Sequence, residues 1–125
     1  MSSSSFRGVA QLGIALGLAF TVACGSALSQ AKSDFKKGRY GDARQTLGNI
    51  EVESRTWDDG RRAEYALYRG LTHGALGDRA AASVWLHEAQ AIEAAKPGSL
   101  SADDVTRLQL ALESLSVEPS PAALR

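Results

Sequence analysis

Apolar side chains return with a helical rhythm in three stretches of the chain. Tyr40, Ala43, Leu47 and Ile50 form one set, Ala82, Trp85, Ala89 and Ile92 a second, and Val105, Leu108, Leu112 and Leu115 a third. Steps of three, four and three residues place each set on one stripe of a 3.6-residue helix. Two further helices are predicted. One runs from about 28 to 37 with Leu28, Ala31 and Phe35 on a face, the other from about 59 to 76 with Ala63, Leu67, Leu71 and Ala75. Proline is absent before Pro97 and β-branched runs are missing, which favours helix over strand. The predicted class is all-α, with five helices in the last hundred or so residues.

The breaks between stripes carry helix-ending chemistry. Gly38 and Gly77 stand where a left-handed residue closes a helix. Asp78 is placed to cap the fourth helix, and Pro97-Gly98 to stop it. Ser101 with Asp104 approximates a capping box for the fifth helix, whose stripe is expected to bury against the preceding pair while Asp103, Asp104, Arg107 and Glu113 stay wet. Residues 117–125, with Pro119 and Pro121, read as a flexible tail.

The first 23 residues follow a different pattern. A serine-rich start carrying Arg7 leads into an apolar run from Val9 to Ala23, and every carboxylate lies after Cys24. Fifteen helical residues span about 22 Å, short of a bilayer core of about 30 Å, so a secretory signal fits better than a membrane-spanning helix. Thr21-Val22-Ala23-Cys24-Gly25-Ser26 resembles a bacterial lipobox. The resemblance implies cleavage before Cys24, a lipid of the palmitate type on that residue, and an envelope location facing the periplasm. An ordinary cleavage site at Ala27-Leu28-Ser29 is the alternative, giving a soluble periplasmic or secreted protein. The expected division is a signal at 1–23 and a helical domain at 24–116.

Phe35-Lys36-Lys37-Gly38-Arg39-Tyr40-Gly41-Asp42-Ala43, followed by Leu47 and Ile50, resembles the middle of a tetratricopeptide repeat. Gly70, Leu76-Gly77-Asp78, Ala82, Leu86 and Ala89 repeat the order 39 residues later, against a family period of 34, with residues 51–58 as a longer connecting loop. The resemblance implies two antiparallel helix pairs, a C-terminal capping helix over the open end, and close packing at Ala43 and Ala82. It also implies a groove lined by the first helix of each pair, presenting Lys32, Phe35, Lys36, Glu64, Leu67 and Leu71 to an acidic and apolar peptide of an envelope protein.

Composition narrows the function without naming it. The 125 residues are 44% hydrophobic and 6% aromatic, with 14 basic against 14 acidic side chains. Zero net charge supplies no global field for nucleic acid. A local excess of Lys32, Lys36, Lys37, Arg39 and Arg44 over Asp34 and Asp42 lies near Cys24, where basic residues gain about 1 kcal/mol each against an anionic surface. Metal binding is not expected: His87-Glu88 lacks a second histidine four residues on, where Ala91 stands, and His73 falls on another helix. The pairs Asp58-Asp59 and Asp103-Asp104 sit at helix starts, where capping explains them. Trp85 lies on a core stripe, and Trp57 is a candidate for a contact surface. No catalytic residues and no cofactor are expected. The reading is a non-enzymatic interaction module, with an exported protein that binds or processes a small molecule or cell-wall fragment as the alternative.

Overall fold

In the computed structural model the chain is described from residue 20 to residue 117, with side chains from residue 27 onward. Nearly all of the expected signal segment, the Cys24 side chain and residues 118–125 lie outside the described residues. Within them all regular structure is helical: α1 (Phe20–Lys36), α2 (Tyr40–Asn49), α3 (Glu51–Ser54), α4 (Asp59–Ala75), α5 (Arg79–Ala95) and α6 (Ala102–Ser116). Six helices stand where five were expected. The extra one is α3, a single turn inside the segment expected to be loop. Ile50 leaves the helical region with φ −103° and ψ 11°, ending α2, and the Ser54 hydroxyl then donates to the Glu51 carbonyl at 2.6 Å. The helix expected to begin near residue 28 is described from Phe20 onward.

Two of the turns are built alike, 39 residues apart. Gly38 has φ 78° and Gly77 φ 84°, a conformation that costs any residue with a Cβ about 1–2 kcal/mol. The Gly38 N–H donates to the Phe35 carbonyl at 3.0 Å and the Arg39 N–H to the Asp34 carbonyl at 2.8 Å; the Gly77 and Asp78 N–H groups reach the Gly74 and His73 carbonyls at 3.1 and 2.9 Å. Both are Schellman closures, which satisfy carbonyls that a helix end would otherwise leave unpaired. The next helix follows at once in each case, so α1 and α2 form one hairpin and α4 and α5 another.

The caps agree with the sequence in part. Asp58 and Asp78 accept the Arg61 and Ala81 N–H groups at 2.9 and 3.1 Å, and Ser101 accepts the Asp104 N–H at 3.2 Å. Asp104 does not complete the box; its carboxylate takes the Arg107 guanidinium at 2.8 Å. The expectation that Asp104 stays wet is corrected by this pairing, since the residue is buried with its charge satisfied. Pro97-Gly98 follows the end of α5, and the Glu93 carboxylate folds back to accept the Gly98 and Leu100 N–H groups at 2.9 and 2.8 Å. Those hydrogen bonds hold the Glu93 carboxyl below its usual pKa.

α4 is the central helix and touches each of the other five. One side packs Ala66 and Leu67 against Ala82, Leu86, Ala89 and Leu108; the other brings Tyr65 to Leu28, Ala31, Leu47 and Ile50. Each fully buried leucine among these contributes about 1.5–3 kcal/mol. Gly70 makes the approach of α5 possible: a Cβ there would lie 2.6 Å from Leu86 Cγ. α6 lays Val105, Leu108, Leu112 and Leu115 on the α4–α5 pair, as its stripe predicts. The Arg79 guanidinium secures its end by donating to the Leu115 carbonyl at 2.7 Å.

Candidate partner-binding surface

The residues expected to line a groove divide into several environments. Lys32 on α1 and Glu64 on α4 form an ion pair with each other. Partial burial disfavours the Lys32 ammonium, but the hydrogen bond and charge of Glu64 outweigh it and the pKa is raised. The Lys32 ammonium also lies 5.3 Å from the centre of the Tyr68 ring. Phe35 is half-buried between Tyr40 and Tyr68, with ring centroids 5.4 and 5.8 Å away. Leu67 has no exposed surface and belongs to the core. Leu71 is half-buried against the same core, and Lys36 is exposed at the end of α1. Of the six, only Lys36 is left largely to solvent. The groove position next to Glu64 is taken by Tyr68, whose pKa is raised by burial and by the nearby Asp104 carboxylate.

A second surface, unmarked by any short motif, forms where α3, α4 and α5 meet. Trp57, Tyr65 and Trp85 make a ladder of edge-to-face contacts with centroids 5.9 and 5.7 Å apart. Arg61 lies over Trp57 at 4.4 Å and Arg69 over Trp85 at 4.3 Å. Tyr65 is pinned at its far end: its hydroxyl donates to the Leu47 carbonyl at 2.6 Å and accepts from Arg69 at 2.8 Å. Burial pushes the Tyr65 phenol above its usual pKa, with Arg69 opposing. Beside the ladder opens a cleft of about 270 Å³ whose apolar walls are Trp85, Val84 and Ile92. Val84 is 66% exposed there.

The charges around this cleft are unevenly paired. Arg69 holds Glu51 tightly at 2.6 Å, which leaves Arg55 3.9 Å from the other Glu51 oxygen. Arg62 lies 3.6 Å from both Glu88 and Asp59, and Asp59 is shared with Lys96 at 3.7 Å. Arg55 and Arg62 therefore line the cleft with Glu51 and Glu88 as loosely held partners, Arg69 standing behind Trp85 with Glu51 in its grip, and Asp59 and Lys96 balance each other at the edge. Separations of 3.6–3.9 Å are those of weak surface pairs that an incoming anionic group can displace at little cost.

The histidines stand apart. His87 is exposed on α5, its Nδ1 2.8 Å from the Ser83 carbonyl oxygen, and His73 is half-buried at the end of α4. Among the described residues no three His, Cys, Asp or Glu side chains are grouped to hold a metal ion, and no helix is long and apolar enough to cross a membrane. Asp58, Asp59 and Asp104 at helix starts are accounted for by capping and local ion pairs. No family model, curated protein or solved structure matches the chain.

Proposed function

We propose that this protein is a non-enzymatic interaction module, built on two tetratricopeptide-like helix pairs and a capping helix, and held by a lipid on Cys24 at a bacterial envelope membrane facing the periplasm. The observation that carries the repeat reading is the duplication of one turn at a spacing of 39 residues. Buried Ala43, Leu47 and Ile50 recur as Ala82, Leu86 and Ala89. Such pairs stack by nearest-neighbour contacts and present faces to partners. The partner reading rests on the cleft beside Trp85, whose apolar walls and loosely paired Arg55 and Arg62 suit a protein segment carrying apolar and acidic residues.

The core supports cleavage before Cys24 over cleavage after Ser29. Leu28 is buried against Ala31, Leu47, Ile50 and Tyr65, with Ala27 packed beside it. Cutting after Ser29 would remove both and leave a cavity in the first hairpin, a loss on the scale of a large-to-small core substitution, about 2–5 kcal/mol. Cutting before Cys24 keeps every described buried contact of α1.

The test is made in intact cells. Cys24→Ala should move the protein out of the membrane fraction and abolish labelling by a fatty-acid analogue. Val84→Asp with Arg62→Glu, both at exposed or half-exposed positions, should remove specific crosslinks to an envelope protein without changing helicity. A soluble wild-type protein whose amino terminus lies between Ala27 and Ala31 would refute the anchor, and unchanged crosslinks would refute the cleft.

A further inference from the structure

We infer that the outer face of α1 binds the anionic headgroups of the bilayer, so that the helix carrying Cys24 lies along the membrane. This rests on the anchored reading for its setting, though the geometry of the face stands by itself. An open concavity of about 460 Å³ is lined by Ser29, Lys32, Ser33, Lys36 and Lys37 alone. The spacing 29, 32, 33, 36, 37 places all five on one side of a 3.6-residue helix, opposite buried Leu28, Ala31 and Asp34. Ammonium and hydroxyl groups are the donors that phosphate takes, and the lining contains no carboxylate.

Neighbouring charges leave this face basic. Glu64 pairs with Lys32 at the inner edge, and buried Asp34 is held by Gln30 at 3.1 Å with Arg39 at 4.0 Å. Among the described residues Lys36 and Lys37 have no carboxylate within ion-pair distance, and both are exposed. Asp42 lies on α2 beside Arg44, both exposed.

A sheet of headgroups fits better than one free phosphate. The five side chains are strung along nine residues of chain, about 12 Å of helical rise, and do not converge on a point. Lys36 lies about 18 Å along the helix axis from Cys24, which falls on the Leu28 and Ala31 side of α1, so a lipid there would hold the start of the helix at the surface while the lysines reach it from the other side of the same helix. Basic side chains there gain about fivefold in binding each against an anionic leaflet and nothing against a zwitterionic one.

The full chain carrying Cys24→Ser, which bears no lipid, is mixed with vesicles of phosphatidylcholine or of phosphatidylcholine with about one-third phosphatidylglycerol, a content chosen to give a negative surface potential. The segment before Cys24 carries Arg7 and the amino terminus and itself prefers the anionic vesicles, so its contribution cancels only in the comparison between variants that share it. The expected result is preferential binding to the anionic vesicles, cut at least about tenfold by Lys36→Glu with Lys37→Glu, with zwitterionic binding and melting temperature unchanged. Equal binding to both vesicles would overturn the inference. So would an equal loss from Lys96→Glu at the end of α5, outside this face, or displacement by inorganic phosphate beyond that caused by chloride of the same ionic strength. Because this form carries no lipid, absence of fatty-acid labelling in the wild type would refute the anchor and leave the vesicle result standing.

Discussion

The two helix hairpins share a turn and differ in how they fill the space behind it. In the second, Leu86 presses into the hollow left by Gly70, and Tyr65, Ala66, Leu67, Tyr68 and Thr72 are buried on the same helix. In the first, the residue 39 positions before Gly70 is Ala31, fully buried in the cluster that holds Leu47, the counterpart of Leu86. α2 buries only Ala43 and Leu47 and carries Gly41 and Gly48 on its exposed side. The repeated glycine turn fixes the direction of each hairpin; the residue opposite the leucine decides how closely its two helices approach. Among the described residues α4 packs against all five other helices and α1 against α2 and α4 alone, so the second hairpin should hold most of the stability.

The largest expected effect comes from breaking that difference at Gly70. A Cβ there meets Leu86 Cγ at 2.6 Å and the Leu86 backbone nitrogen at 3.0 Å, so Gly70→Ala should cost about 1–3 kcal/mol through overpacking. Gly41→Ala, in a helix with nothing within 4 Å of the new carbon, should stabilise by about 0.5–1 kcal/mol. Urea unfolding of both variants checks the contrast. Equal effects would mean that the second hairpin is no tighter than the first.

Much of this organisation was legible in the sequence because local chemistry dictates it. Gly38, Gly77, Asp58, Asp78 and Ser101 each act within a few residues of themselves, and the structure uses all five as their types predict. Tyr65 and Tyr68 were missed because a single apolar stripe describes a helix with one buried face, and α4 is packed from several directions. The expected groove residues divide into several environments for a related reason: a linear pattern places Lys32 and Glu64 on one surface without indicating that they neutralise each other. The cleft beside Trp85 draws on side chains from 51 to 92, a span no motif covers. Its nearest clue was the pairing of Trp57 and Trp85 with arginines, four residues on for Trp57 and far apart in sequence for Trp85.

The shared turn can be tested by treating its two copies alike. Gly38→Ala and Gly77→Ala place a Cβ in the left-handed region with open space around it, so the cost is conformational and should be about 1–2 kcal/mol at each site. Because the turns lie in different hairpins, the double variant should show the sum within about 0.5 kcal/mol. Thermal unfolding of the three variants measures this, and a silent Gly38→Ala would separate the first hairpin from the second.

The smallest effect distinguishes the two turns by a side chain. Asp34 and His73 occupy the same position and offer the same carbonyl, but Asp34 is bound by Gln30 while His73 is half-buried near several charges. Burial pulls the His73 pKa below the ordinary 6.5, and Arg69 and Arg44 lower it further against the opposing pull of Asp78. The folded state therefore favours neutral imidazole. Above the ordinary value both folded and unfolded chains carry it neutral, and this contribution to stability is fully present. As pH falls below 6.5 the unfolded chain binds a proton first, and the contribution is lost until the folded pKa has been passed. His73→Gln should flatten the decline in stability just below pH 6.5 while leaving the more acidic limb, where carboxylates titrate, unchanged. Stability measured by urea unfolding at a series of pH values checks it. An unaltered slope would mean that His73 has the same proton affinity folded and unfolded, and that the second turn places no more constraint on its side chain than solvent does.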